Sequence, residues 1–141
     1  MTDIVALFKE KADLKRWTSI IGNANIQNYM MQQTDLNDAV NVLCIDLPTV
    51  NPVLESGYWS RHNERMEIML LRRYDIDLFD ISDEVIGNQL FPLCQELDEF
   101  LQEVLSCAKS IDAKSIAYQY VLNIKSQNTG AILCTINYES W

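Results

Sequence analysis

At 141 residues the chain is long enough for one compact domain and hardly for two, and its 48% apolar residues supply a sizeable core. It carries 11 lysines and arginines against 20 aspartates and glutamates, a net charge of −9. Attraction to phosphate backbones or anionic lipid is thereby disfavoured, which argues against a nucleic-acid-binding module and a membrane-surface role.

The opening MTDIVALFKEKADLKRW is charged throughout, unlike a secretory leader, and no apolar run approaches the roughly 20 residues needed to cross a bilayer. Cys44, Cys94, Cys107 and Cys134 form no C-x-x-C pair and have apolar neighbours, as in VLCID and AILCT. They read as reduced, buried small hydrophobes in a reducing cytosol.

Over residues 3–16, Ile4, Leu7, Phe8, Ala12 and Leu14 fall close to helical spacing among Lys9, Lys11 and Lys15, with Thr2 or Asp3 as cap. Gly22 to Asp38 is rich in asparagine and glutamine, has no dominant period, and its form stays open. Val40 to Ile45 reads as a strand buried on both faces and stopped by Pro48. Residues 48–63 hold Pro48, Pro52, Gly57, Tyr58 and Trp59 without a regular period, which predicts a long loop and a candidate contact arm. From Glu64 to Tyr74, Met66, Ile68, Leu70 and Tyr74 alternate with Arg65, Glu67, Met69, Leu71 and Arg73, the pattern of a strand with one strongly buried face.

After Ser82, a capping residue between the staple positions Ile81 and Ile86, comes the stripe Ile86, Leu90, Leu93, Leu97, Phe100, Val104 and Cys107. It predicts a long amphipathic helix, with Gly87 and Pro92 imposing a kink near Gln89 or a fresh start around Pro92. Apolar Cys94, Leu101 and Ala108 widen the stripe beyond a coiled-coil seam, so the helix is expected to cover a sheet. Finally, Ile116, Tyr118, Tyr120, Leu122 and Ile124, the turn SQNTG, and Ile132, Cys134, Ile136 and Tyr138 spell a β-hairpin. The expected architecture is a single α+β domain over residues 1–141. A mostly antiparallel sheet packs against one long helix, with an N-terminal helix and a C-terminal hairpin.

Between Tyr74 and Ala108 lie nine acidic residues and no basic one, so that segment carries the entire net charge. Asp75, Asp77, Asp80 and Asp83 sit in DIDLFDISDE, but an EF-hand loop would need a ligand at Phe79 and a glycine at Asp80. The D-x-D pair does not extend to a phosphoryl-transfer motif either, so the segment reads as a solvated acidic edge near a helix start. The sole histidine, His62, is expected in the loop beside Trp59, Arg61 and Arg65 as an ordinary surface residue. There is no G-x-S-x-G elbow and no glycine-rich phosphate loop, and no catalytic, cofactor or metal residue is assigned. Tyr58, Trp59, Arg61, Arg65 and Trp141 are side chains of the type that anchor interfaces, and form the candidate contact set.

In size and element order the chain resembles the small virion proteins of tailed bacteriophages, of the tail-terminator and head-to-tail joining type. The resemblance rests on the helical start, the strands VNVLCID and ERMEIMLLRRYDID, the helix EVIGNQLFPLCQELDEFLQEVL and the closing AYQYVLNIKSQNTGAILCTINYESW. It implies a non-enzymatic homo-oligomeric ring, often sixfold, around a channel that passes DNA. The partners would be further copies and other virion structural proteins, and the location the virion, with the bacterial cytoplasm during assembly. Asp75, Asp77, Asp80 and Asp83 would then line an acidic lumen that repels the passing DNA. The alternative expectation is an acidic cytosolic inhibitor or immunity-type protein that neutralises a basic enzyme through the same face.

Overall fold

The computed structural model describes residues 3–23, 41–55, 57–73, 90–122 and 129–141. Helix α1 (Ile4–Leu14) starts at Asp3, whose carboxylate accepts the Ala6 N–H at 3.1 Å, and Ile4, Phe8 and Ala12 recur at four-residue spacing on its buried side. Leu14, counted in the apolar stripe, faces solvent. The helix closes in a Schellman turn: the N–H of Trp17 donates to Ala12 O and that of Arg16 to Asp13 O, both at 3.0 Å. Arg16 therefore holds φ 61°, a left-handed conformation that costs a side-chain-bearing residue about 1–2 kcal/mol.

Strands β1 (Thr18–Ile21), β2 (Val42–Ile45), β3 (Thr49–Glu55) and β4 (Tyr58–Arg73) follow, then α2 (Phe91–Cys107), β5 (Ile111–Leu122) and β6 (Thr129–Ser140). The sheet order is β1-β2-β4-β6-β5, with β3 pairing the first half of β4. Among the described strands only β1 and β2 pair in parallel. The expected α+β fold is the observed one: among the described residues two helices pack on a six-stranded, mostly antiparallel sheet.

The main core lies between helices and sheet. Met66, Ile68 and Leu70 of β4 and Ile132, Cys134 and Ile136 of β6 meet Phe8 of α1 and Leu93, Leu97, Phe100 and Val104 of α2. Phe100 joins the helices, its ring 5.9 Å from that of Phe8 and 4.8 Å from Trp17. A second apolar cluster, Ile20, Val42, Cys44, Leu71 and Ala131, occupies the opposite face at the β1–β2 end. All four residues of β2 are buried, as expected for a strand covered on both sides.

Three sequence expectations need correction, and one strand was not anticipated. Residues 49–55 and 58–63 are not loop but the two strands of a β-hairpin, turned at Gly57 with φ 83°. β3 buries neither face, so it has no alternation to read, and an edge strand tolerates Pro52. His62 consequently sits in β4 and is half-buried. Of the four cysteines expected buried, Cys94 is only partly covered and Cys107 is exposed, because α2 ends there and Ala108 turns inward in its place. The short β1 had no counterpart in the sequence reading. Pro92 lies in the first turn of α2, where a missing N–H costs nothing, and Gln89, the expected position of a kink, lies outside the described residues. Ser82, Ile81, Ile86 and Gly87 lie outside the described residues, as do Ser126, Gln127 and Asn128 of the hairpin turn.

Candidate functional site

Pairing of β4 with β6 begins at His62, whereas pairing with β3 continues to Tyr58 and Glu55. The tip of the β3–β4 hairpin therefore projects beyond the sheet as a two-stranded ribbon. Val53 pairs with Arg61 and Leu54 with Trp59, leaving Ser60 as the extra residue of a bulge, a device that increases local twist. The arm presents apolar side chains to solvent: Val50 is exposed and Leu54 is 64% exposed.

At its root the arm is held by charge on one face and by a buried acid on the other. Arg61 lies 3.1 Å from Glu55 and 4.0 Å from Glu139, and Lys114 lies 3.8 Å from Glu139 and 2.6 Å from Asp112. These five groups form a ribbon of alternating sign across β3, β4, β6 and β5. Glu64, only 8% exposed, accepts hydrogen bonds from Tyr138 Oη at 3.2 Å and from Ser140 Oγ. Burial, then the neighbouring Glu64 charge and hydrogen bond, push the Tyr138 phenol far above its ordinary value, so it stays a donor. His62 stands opposite Ser140 in the register, and its buried Nδ1 has no partner among the described residues. The fully buried Ser140 hydroxyl donates to the carboxylate and not to the imidazole, so Ser140, His62 and Glu64 are not arranged as a nucleophile with its base.

A cleft of about 480 Å³ opens between the end of α1 and the start of α2, lined by Lys15, Arg16, Trp17, Asn41, Arg72, Glu96 and Glu99. Arg72 Nε donates to Asn41 Oδ1 at 2.7 Å and Nη2 to Glu96 Oε2 at 2.6 Å, while Asn41 Nδ2 donates to the same oxygen at 2.9 Å. Burial alone would raise the Glu96 carboxyl. The hydrogen bonds from Arg72 and Asn41 and the charges of Arg72 and Lys15 outweigh it and hold that group below the usual glutamate range. Lys15 lies 3.5 Å from Glu103 and 5.9 Å above the Trp17 ring. Arg16 has no ion pair among the described residues.

The foreseen contact residues Tyr58, Trp59, Arg61 and Arg65 all fall on the first half of β4, and Trp141 follows Ser140, the partner of His62, at the foot of the arm. Trp141 is 55% exposed with its N–H on Ser110 O at 3.3 Å. Arg61 and Arg65 already have acidic neighbours within the chain, Arg65 lying 3.3 Å from Glu67. Asp75, Asp77, Asp80 and Asp83 lie outside the described residues. Further along that acidic segment, Glu96 and Glu103 are paired with bases, and Asp98 accepts from Tyr118 at 2.6 Å and Gln102 at 2.9 Å. Among the described residues no group of histidine, cysteine or acidic side chains is placed to hold a metal ion, and no helix is long and apolar enough to cross a membrane. The sequence reading missed the cleft. Its signals were a lone asparagine inside the apolar run around Val42 and an arginine directly after Leu70 and Leu71. No protein-family model matches the chain, and no curated protein matches it.

Proposed function

We propose that the chain is a non-enzymatic virion assembly protein, a ring-forming subunit of the tail-terminator or head-to-tail connector type that acts through protein–protein contacts. The observation that carries this reading is the β3–β4 arm. A two-stranded ribbon is marginal in water on its own, and this one projects from the sheet with Leu54 uncovered, while Val50, on the same strand where β4 is already paired with β6, is exposed at its root. Such an arm gains its cover from a neighbour. Docked on a different surface of the next copy it makes a head-to-tail contact, and repeated head-to-tail contacts close into rings. The strand directions suit this: β3, β4, β6 and β5 alternate, so the two outer strands run in opposite senses and a neighbour's β3 would meet β5 antiparallel.

Light scattering on the full chain across a concentration series, at low and moderate salt, tests the reading. Discrete higher oligomers are expected, with reversion to monomer in the Val50→Asp, Leu54→Asp double variant at unchanged circular dichroism. A monomer at every concentration refutes self-assembly of the free chain. The second reading, an acidic inhibitor of a basic enzyme, is favoured by the net charge of −9 and predicts a monomer with a salt-sensitive partner. The engagement of Glu96, Asp98 and Glu103 within the fold leaves it less free charge on α2.

A further inference from the structure

We propose that the free edge of β5, with Phe91 of α2 beside it, is the docking surface for strand β3 of a second copy of the chain, so that one sheet runs on from subunit to subunit. This deepens the assembly reading above and rests on it. β5 is 12 residues long and pairs only with β6 among the described residues. Free edges are ordinarily blunted by charge, proline or a bulge. Lys114 and the register shift between Ala113 and Ser115 blunt only the start of β5, and Ser115 to Leu122 holds neither a charge nor a proline. Ile116 and Tyr120 are exposed along that stretch. Phe91, also exposed, lies one turn before Cys94, which sits against Tyr120.

The occupant follows from faces, backbone phase and length. Ile116, Tyr118 and Tyr120 stand opposite Ile136, Cys134 and Ile132, on the face that the helices cover. Val50 and Pro52 stand opposite Glu64 and His62 on that same face, Leu54 continues their row, and all three are exposed. Because β3 and β5 run in opposite senses, a neighbour's β3 added to β5 sets one apolar row against the other. Proline has no N–H, so Pro52 and His62 form a non-hydrogen-bonded pair, and the backbone of Val50, Pro52 and Leu54 turns to the free edge. Trp141 N–H on Ser110 O marks Ser140 and Ile111 as the same kind of pair. β6 keeps that phase without a shift against β4, so Ile116, Tyr118 and Tyr120 also bond outward. Leu54, Pro52 and Val50 of the neighbour can thus pair with Ile116, Tyr118 and Tyr120, with only the Pro52 donor missing. In that register Thr49–Glu55 spans Ser115 to Val121, the stretch between the bulge and the end of β5. Two β3 strands paired together would lose the proline donor twice. Two β5 strands would bring the flanks of α2 together, with Asp98, which holds Tyr118 Oη at 2.6 Å, facing its own copy.

The test uses the full chain with Cys107→Ser, carrying either Asn51→Cys or Gln119→Cys, both at exposed positions. The register makes these two a non-hydrogen-bonded pair with Cα atoms about 4.5 Å apart, inside the disulfide range of about 4.4–6.8 Å. Mild oxidation should link the two proteins when mixed and neither alone, and Asn51→Cys should not link to Ser115→Cys. In light scattering, the Ile116→Asp, Tyr120→Asp double variant should need at least about tenfold more protein to assemble, at unchanged circular dichroism. Oligomers that form without the mixed disulfide, or that persist in the double variant, overturn the docking surface and leave the assembly reading standing. Linkage of Ala117→Cys to Gln119→Cys places two β5 strands together and overturns it too. A monomer at every concentration overturns both.

Discussion

Replacing Arg72 by methionine keeps an unbranched stem and deletes the guanidinium that ties β4 to β2 and α2. Two contributions set the cost. Asn41 is 6% exposed, so removing the donor to its carbonyl leaves a buried acceptor unmet, at about 1–3 kcal/mol. The ion pair with Glu96 is partly open, with the side chains 29% and 42% exposed. Solvent screening places it near 1 kcal/mol, well under the cost of breaking a fully buried pair. The sum is about 2–4 kcal/mol, a fall in Tm of roughly 8–16 °C at about 4 °C per kcal/mol for a domain of this size. Urea unfolding followed by circular dichroism on the wild type, Arg72→Met, Glu96→Gln and the double variant measures both the cost and the coupling. A coupling of about 1 kcal/mol is expected between residues in direct contact. If Arg72→Met stayed within about 0.5 kcal/mol of the wild type, or the coupling vanished, the network would not hold this corner of the fold.

Phe100→Ala removes the ring shared by α1 and α2 and should cost about 3–5 kcal/mol in the same urea assay; a loss under about 1 kcal/mol would mean the helix contact is dispensable. Because the Glu96 carboxyl is held lower in the folded than in the unfolded chain, its stabilisation is present at neutral pH and lost as pH falls through the folded value. The wild-type urea midpoint should therefore decline more steeply than that of Glu96→Gln between about pH 5 and pH 3, and parallel curves would contradict the network. In thiol labelling at pH 8, Cys107 should react at once. Buried Cys44 should react only on unfolding, as should Cys134, whose thiol is pushed up to about 12 by burial, then by Cys94 and Asp98; rapid reaction of all four cysteines would contradict the core.

What the sequence reveals depends on which residues are half-buried. Met66, Ile68 and Leu70 alternate with partly covered neighbours, and Ile132, Cys134 and Ile136 do the same, so β4 and β6 are legible from period alone. β3 is not legible, because an edge strand with both faces in water imposes no period, and Pro52 reads as loop. β1 is four residues long and is specified by a parallel partner more than twenty positions away, Thr18 opposite Val42, so no local window contains its cause. The cleft fails for the same reason. Val42 pairs with Leu71, and only that register brings Asn41 beside Arg72 and under Glu96. The contact residues on β4 could be grouped beforehand because they are near in sequence. Trp141 joins them only through the pairing of Ser140 with His62.

The sheet divides into two ends with different physics, and that division bears on how the arm could work. At the β1–β2 end both faces are apolar and closed, with Ile20, Val42 and Leu71 on one side and Leu43, Ile45 and Leu70 on the other. At the arm end the outer face carries charged side chains in alternating sign, and the inner face carries Glu64 satisfied by Tyr138 and Ser140. Charges of alternating sign oppose a slip in register, since a one-residue shift moves every side chain to the other face. The root of the arm is thus set in direction while its tip stays uncovered, and a partner that binds the tip loses little to ordering it. On this argument Arg61 acts by fixing the arm's position through Glu55 and Glu139, while the free apolar surface available to a partner is that of Leu54 and Val50.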